Sequence, residues 1–154
     1  MGLIQGVSVR QLESIQGGMS QFYTPQSSHE TMLVQVPGGT VDDLFVHRFQ
    51  TDQLLIVRGE MVLVVLQNRS YRYIALSEYK PQVITIPPGV PHGAVNLTHS
   101  PCVLVNAVLR HGKVHEKDYR PIKPPLPYDM AEIKAETDKI RKLSLSDLKF
   151  SIPS

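Results

Sequence analysis

One ten-residue stretch, Pro87-Pro88-Gly89-Val90-Pro91-His92-Gly93-Ala94-Val95-Asn96, constrains the fold of this chain more than any other. It follows the strand-like run Val83-Ile84-Thr85-Ile86 and reads P-x-G-x-x-H-x-x-x-N. Prolines at 87, 88 and 91 remove chain freedom, and Gly89 can enter the φ > 0 region without steric cost. The expected result is a rigid turn that leaves one strand and feeds the next, with His92 at the point of re-entry. An imidazole on such a support is suited to serve as a ligand, a base or a hydrogen-bonding partner of a substrate.

The flanking sequence supplies strands for this turn to connect. Residues 32–36, 44–49, 54–57, 61–66, 71–76 and 103–109 are short and rich in β-branched and aromatic residues. Pro37-Gly38-Gly39, Arg58-Gly59-Glu60 and Gln67-Asn68-Arg69-Ser70 separate some of them as turns. This spacing predicts an all-β antiparallel sandwich or barrel. The near-continuous apolar character of 54–57 and 61–66 predicts strands covered on both faces. Near Arg120 the pattern changes. Pro121, Pro124, Pro125 and Pro127 make a stiff, extended connector over 121–128. Asp129 then suits a helix N-cap, and Met130, Ile133, Thr137, Ile140 and Leu143 share a helical stripe. The expected organisation is a barrel with an N-terminal strand arm over 1–120, the connector, and an amphipathic helix and tail over 129–154. That helix packs on the barrel or on a partner subunit.

With 154 residues, the chain has the length of one ordinary domain. Its net charge of +2 carries no field of the kind that nucleic-acid binding needs. No apolar run approaches the ~20 residues that span a bilayer, and the first residues lack a secretion signal. The single cysteine, Cys102, excludes an internal disulfide and suits a small buried hydrophobe. A cytoplasmic protein acting on a small molecule is the expectation.

A second motif lies upstream, as Gly39-x5-Phe45-x-His47-x4-Asp52-x6-Gly59. Its intervals, with the turn at 87–96, resemble the paired motifs of the cupin superfamily. That resemblance implies a single cupin-type jelly-roll barrel. In the usual first motif a histidine stands at the place of Phe45 and a glutamate at the place of Asp52. Leu55-Ile56-Val57-Arg58-Gly59-Glu60-Met61 and Ile86-Pro87-Pro88-Gly89-Val90-Pro91-His92-Gly93 look most like the dTDP-sugar 3,5-epimerase group, and Tyr119-Arg120-Pro121 is similar to residues that follow its last strands. The resemblance implies metal-free removal of a proton beside a ketone by a first-motif histidine, here His47. It also implies a lysine that steadies the enolate and a tyrosine that reprotonates it. The lysine's place falls near Asp52, and 103–109 carries no tyrosine.

Three readings of the residues stay open at this point. His47 as base, Asp52 as its orienting partner and His92 as acid or hydrogen-bonder make an acid–base site without a cofactor. The same His47, Asp52 and His92 form a two-histidine, one-carboxylate set for a divalent Fe, Mn, Ni or Zn ion, as in a metal-dependent dioxygenase or isomerase. The third reading is a non-catalytic cupin that binds a sugar or metabolite. Phe45, Arg58, Tyr73 and Asn96 are the substrate-contact candidates, although Asn96 also suits strand backbone groups. The expected ligand is a small molecule such as a nucleotide sugar, and the expected assembly is a homodimer. His111 and His115 lie past the last long strand, near the barrel rim, while His29 and His99 sit in polar loops.

Overall fold

A computed structural model describes residues 6–12, 26–112 and 118–151, with side chains described as far as residue 142. Eleven strands and one helix follow in order: β1 Ser8–Gln11, β2 Glu30–Val36, β3 Thr40–Val41, β4 Leu44–His47, β5 Gln50–Arg58, β6 Glu60–Gln67, β7 Ser70–Ser77, β8 Gln82–Ile86, β9 His92–Asn96, β10 Cys102–Arg110, β11 Tyr119–Ile122 and α1 Met130–Ser151. One sheet runs β1-β8-β5-β10-β2, and the other runs β11-β4-β9-β6-β7 with β3 also pairing β9. Every strand pair is antiparallel. The fold is an all-β jelly roll of two facing sheets with a C-terminal helix.

Side-chain alternation along the strands builds two cores. Met61, Leu63 and Val65 of β6 point between the sheets and join Leu54, Ile56, Ile84, Ile86 and Leu104. Val62 and Val64 point the other way, onto Val95, Leu44 and Ile133 of α1. Residues 61–66 are therefore covered on both sides, as their composition implied. Residues 54–57 are not: Leu54 and Ile56 are buried, but Val57 is 51% exposed. Among the described residues no helix lies on the outer face of this sheet, so Leu55, Val57, Val103, Val105 and Leu33, which is 76% exposed, form an apolar stripe facing outward.

Asp129 caps α1, its Oδ1 accepting the Glu132 backbone N–H at 3.1 Å. Ile133, Thr137 and Ile140 are buried on the β6–β7 face, Met130 is 40% exposed, and the Leu143 side chain lies outside the described residues. The proline connector begins inside the sheet rather than after it. Pro121 pairs with Phe45 in β11, an edge strand, where a missing N–H is tolerated. Tyrosines then hold the connector down. The Tyr71 hydroxyl donates to the Leu126 carbonyl at 2.6 Å, that of Tyr73 accepts the Asp129 N–H at 2.8 Å, and that of Tyr128 donates to the Asp42 carbonyl at 2.9 Å.

Truncating Ile133, which is fully buried between α1 and β6, removes a contact layer that the sheet cannot refill. Ile133→Ala is expected to lower unfolding stability by about 2–4 kcal/mol in urea titration, with an unchanged m-value.

Candidate active site

The turn at 87–91 does what its residues dictate. Gly89 takes φ 84°, and its N–H donates to the His47 carbonyl at 2.8 Å, tying the turn to the end of β4. One residue into β9, Gly93 lets the two segments touch, since a Cβ there would stand 2.7 Å from the Asp43 carbonyl oxygen. His92 and Phe45 are thereby register partners across β9 and β4, with ring centroids 4.4 Å apart. His47 follows two residues after Phe45 on the same face. The strand ends there because the Arg48 and Phe49 N–H groups turn to donate to Asp118 Oδ1, at 2.8 and 3.0 Å.

Asp52 enters from β5 of the opposite sheet and is 3% exposed. A buried carboxylate must be paired or fully hydrogen-bonded. Its Oδ1 accepts from Gln50 Nε2 at 2.5 Å and Asn106 Nδ2 at 3.0 Å. Its Oδ2 faces His92 Nε2 at 3.2 Å and His47 Nε2 at 3.7 Å. Both amides are themselves oriented: Asn106 Oδ1 accepts the Gln53 N–H, and Gln50 Oε1 accepts from Arg110 Nη1 at 2.6 Å. Burial pushes the Asp52 carboxyl up, but hydrogen bonds from His92, Asn106 and Gln50 and the nearby imidazole prevail and hold it at about 2.

His92 Nδ1 lies 2.9 Å from the Val90 carbonyl, so that nitrogen carries a proton. Its Nε2 faces Asp52 Oδ2 at 3.2 Å. His47 is different. Burial lowers its pKa below the ordinary 6.5; the Asp52 and Asp118 charges oppose this, and His92 and Arg110 reinforce it. Its Nδ1 stands 3.9 Å from Asp118 Oδ2, and both of these buried atoms lack a hydrogen-bond partner.

These groups line a cavity of about 460 Å³ between the sheets. Phe45, His47, Asp52 and His92 all face it, together with Tyr119, quoted above only for the resemblance, and with Gln50, Asn106, Arg110 and Asp118, which sequence reasoning did not select. Asn106 interrupts an apolar strand and Gln50 shares a face with Asp52, so both left a trace in the sequence. Asp118 left none, because only the pairing of β11 with β4 brings it to His47. Three substrate-contact candidates are elsewhere. Arg58 is exposed beside Gly59 and Pro101, at a different cavity. Tyr73 packs on the outer face of its sheet under the connector, where its hydroxyl caps Asp129. Asn96 is fully buried and spends its amide on the Val36 and Ser100 carbonyls and the Thr98 N–H. His111 pairs with Thr51 at 2.6 Å, His29 accepts the Arg110 N–H, His99 lines the cavity beside Arg58, and His115 lies outside the described residues.

No protein-family model and no curated protein sequence matches the chain. Solved structures do. A dTDP sugar isomerase from Desulfovibrio desulfuricans G20 aligns over 84% of this chain and 89% of its own, at 18% identity and TM-score 0.63. NovW, a 4-keto-6-deoxy sugar epimerase from Streptomyces spheroides, aligns over 80% and 72%, at 17% identity and TM-score 0.63. A single-site variant of the 3,4-ketoisomerase QdtA from Thermoanaerobacterium thermosaccharolyticum, in complex with TDP-4-keto-6-deoxyglucose, aligns over 91% and 97%, at 15% identity and TM-score 0.60. The fold is that of the dTDP-sugar 3,5-epimerase-like cupins. On this cupin framework the His47, Asp52 and His92 cluster sits between the two sheets, among the side chains that line the cavity. At these identities the likeness establishes the architecture.

The depressed Asp52 pKa has a stability consequence whose sign is set by ionisation. A carboxyl at about 2 when folded, against 3.8 as the reference value, favours the folded state above pH 3.8 and loses that contribution as pH falls through about 2. Urea unfolding between pH 7 and pH 2 is expected to show about 2 kcal/mol of this loss, which Asp52→Asn abolishes.

Proposed function

We propose that this chain is a small-molecule enzyme of the epimerase or isomerase kind, which moves a proton on carbon beside a carbonyl. The observation that supports it is the buried pair His47 and Asp118, whose facing atoms lack other partners 3.9 Å apart. A short approach of the two would let His47 Nδ1–H donate to the Asp118 carboxylate, which leaves the Nε2 lone pair toward the cavity. Nε2 then takes the proton from carbon, and the imidazolium that forms is stabilised by the Asp118 and Asp52 carboxylates. The electron pair released from the C–H bond moves onto the carbonyl oxygen. His92 Nε2–H can turn to hydrogen-bond that oxygen. The cycle closes when the electron pair returns from oxygen and the carbon regains a proton, either the one His47 took or one from an acid on the opposite face, with His47 then releasing its own to water. Tyr119, with its ring centroid 5.9 Å from that of His47, is the tyrosine at the cavity among the described residues. The nucleotide-linked keto-sugars of the solved neighbours are the reference substrates for this chemistry. In the same reading the outward apolar stripe around Leu33 is the homodimer face, and the setting is cytoplasmic, where one unpaired cysteine is ordinary.

A specific observation also favours a metal. His47, Asp52 and His92 each offer one ligand atom, and these atoms lie within 4.8 Å of one another. The Val90 carbonyl holds His92 with Nδ1 protonated, which is how a ligating imidazole is commonly oriented. A divalent Fe, Mn, Ni or Zn ion would suit such a donor set and would polarise a substrate carbonyl. Elemental analysis of protein purified without chelators, and the effect of added Mn²⁺ or Ni²⁺ on Tm, separate this reading from the metal-free one.

Deuterium uptake from D₂O next to the carbonyl of keto-sugars and simple ketones tests the main reading. His47→Asn is expected to slow exchange by about 10²–10⁴-fold while the fold is kept. Binding without any exchange would instead identify a non-catalytic binder. Because His47 must be neutral to act and burial lowers its pKa, the exchange rate should hold at pH 6.5 and fall only at more acidic pH.

A further inference from the structure

Two side-chain amides reach the Oδ1 atom of Asp52, and each is gripped at its other end. Asn106 donates from Nδ2 at 3.0 Å, while its Oδ1 accepts the Gln53 backbone N–H at 2.9 Å. Gln50 donates from Nε2 at 2.5 Å, while its Oε1 accepts from Arg110 Nη1 at 2.6 Å. The first grip is made by backbone and belongs to the sheet itself. The second is made by a side chain, and strand register places it: Arg110 stands directly opposite Gln50 across β10 and β5. Arg110 is braced in turn from β2, whose Glu30 carboxylate accepts from Nε and Nη2 at 3.3 and 2.8 Å. Its backbone N–H donates to His29 Nδ1 at 2.8 Å.

A guanidinium donates and never accepts, and an ionised carboxylate accepts and never donates. The Gln50 amide between them therefore has one orientation, and the side-on fork to Glu30 fixes the plane of the group that sets it. We propose that Arg110 is a positioning residue of this site: braced by Glu30, it fixes the Gln50 amide and through it aims the Asp52 carboxylate between the two imidazoles. With Oδ1 held by two amides that cannot turn, Oδ2 faces His92 Nε2 at 3.2 Å and His47 Nε2 at 3.7 Å. Without Arg110, the Oε1 atom of Gln50, a side chain only 6% exposed, loses its 2.6 Å donor. The amide then turns to find another, and its hold on Asp52 goes with it. The inference rests on the reading of Asp52 as partner of His47 and His92 and adds the group that aims it.

Substitutions of similar length separate aiming from packing. Arg110→Met keeps the stem and removes every donor, whereas Arg110→Lys restores one donor for Gln50 without the fork to Glu30. Glu30→Ala loosens the brace at a side chain that is 43% exposed. The full chain, labelled with ¹⁵N and ¹³C, is followed by NMR at the Gln50 side-chain amide and at Asp52 Cγ. Arg110→Met is expected to shift both resonances and to speed solvent exchange of the Gln50 amide protons. Arg110→Lys should return them part-way, and Glu30→Ala should shift them in the same direction by less. Unchanged resonances in Arg110→Met overturn the inference, as do equal shifts in the methionine and lysine variants, which would mean packing. If Arg110→Met does not fold, Glu30→Ala decides, and no shift there overturns the inference. Deuterium uptake by keto-sugars from D₂O reports on the acid–base reading. Where the wild type exchanges, Arg110→Met is expected to lower kcat by about tenfold with KM within about twofold, and undiminished uptake overturns the inference. The expected NMR response with no uptake by the wild type sustains the positioning role and removes the proton-transfer reading.

Discussion

The Asp52 carboxylate, buried between two sheets, is the constraint around which the site is arranged. A charge in that position is tolerated only when its oxygens are satisfied by well-oriented donors, because removal from water costs several kcal/mol. The chain meets this demand from both sheets. Gln50 and Asn106 come from the same sheet as Asp52, and His92 comes from the facing one. Each donor is in turn held by a further contact, so the arrangement extends outward through Arg110 to Glu30 at the surface. Losing any one member would leave a buried polar atom without a partner, which makes the cluster specific as well as stable.

Two histidines placed around one carboxylate acquire different properties from this arrangement. His92 is anchored by the Val90 carbonyl on one side and by Asp52 on the other, so its ring has little freedom. His47 is held through its backbone by Gly89, while its ring nitrogens lie beyond hydrogen-bond distance of both neighbouring carboxylates. One imidazole is therefore satisfied, and the other has a buried Nδ1 without a hydrogen-bond partner. That difference is what the proposed proton transfer would use.

Much of the barrel was legible because its signals are local. Prolines and Gly89 dictate a turn whatever surrounds them, and alternating or continuous apolar runs reveal which strands are covered. Residues 54–57 read as covered on both faces, but composition cannot say what meets an apolar outer face, and among the described residues no helix lies over Val57. Arg58 and Tyr73 were drawn to the site by their side-chain chemistry alone. Each belongs to a strand whose alternation, or whose far end, carries it away from the cavity. Asn96 sits in the motif but serves the backbone of the strands it joins.

The sequence by itself determined the jelly roll, the turn that carries His92, and the nearness of His47 and Asp52, since motif spacing and turn chemistry act over short chain distances. Only the tertiary structure decided that Asp52 leans on His92 rather than His47, and that Asp118 stands at the other ring nitrogen of His47. It also decided that Arg110 is spent on Gln50 and Glu30. Those relations join residues about 40 to 80 positions apart along the chain. They follow from strand register and sheet packing, which no local pattern encodes.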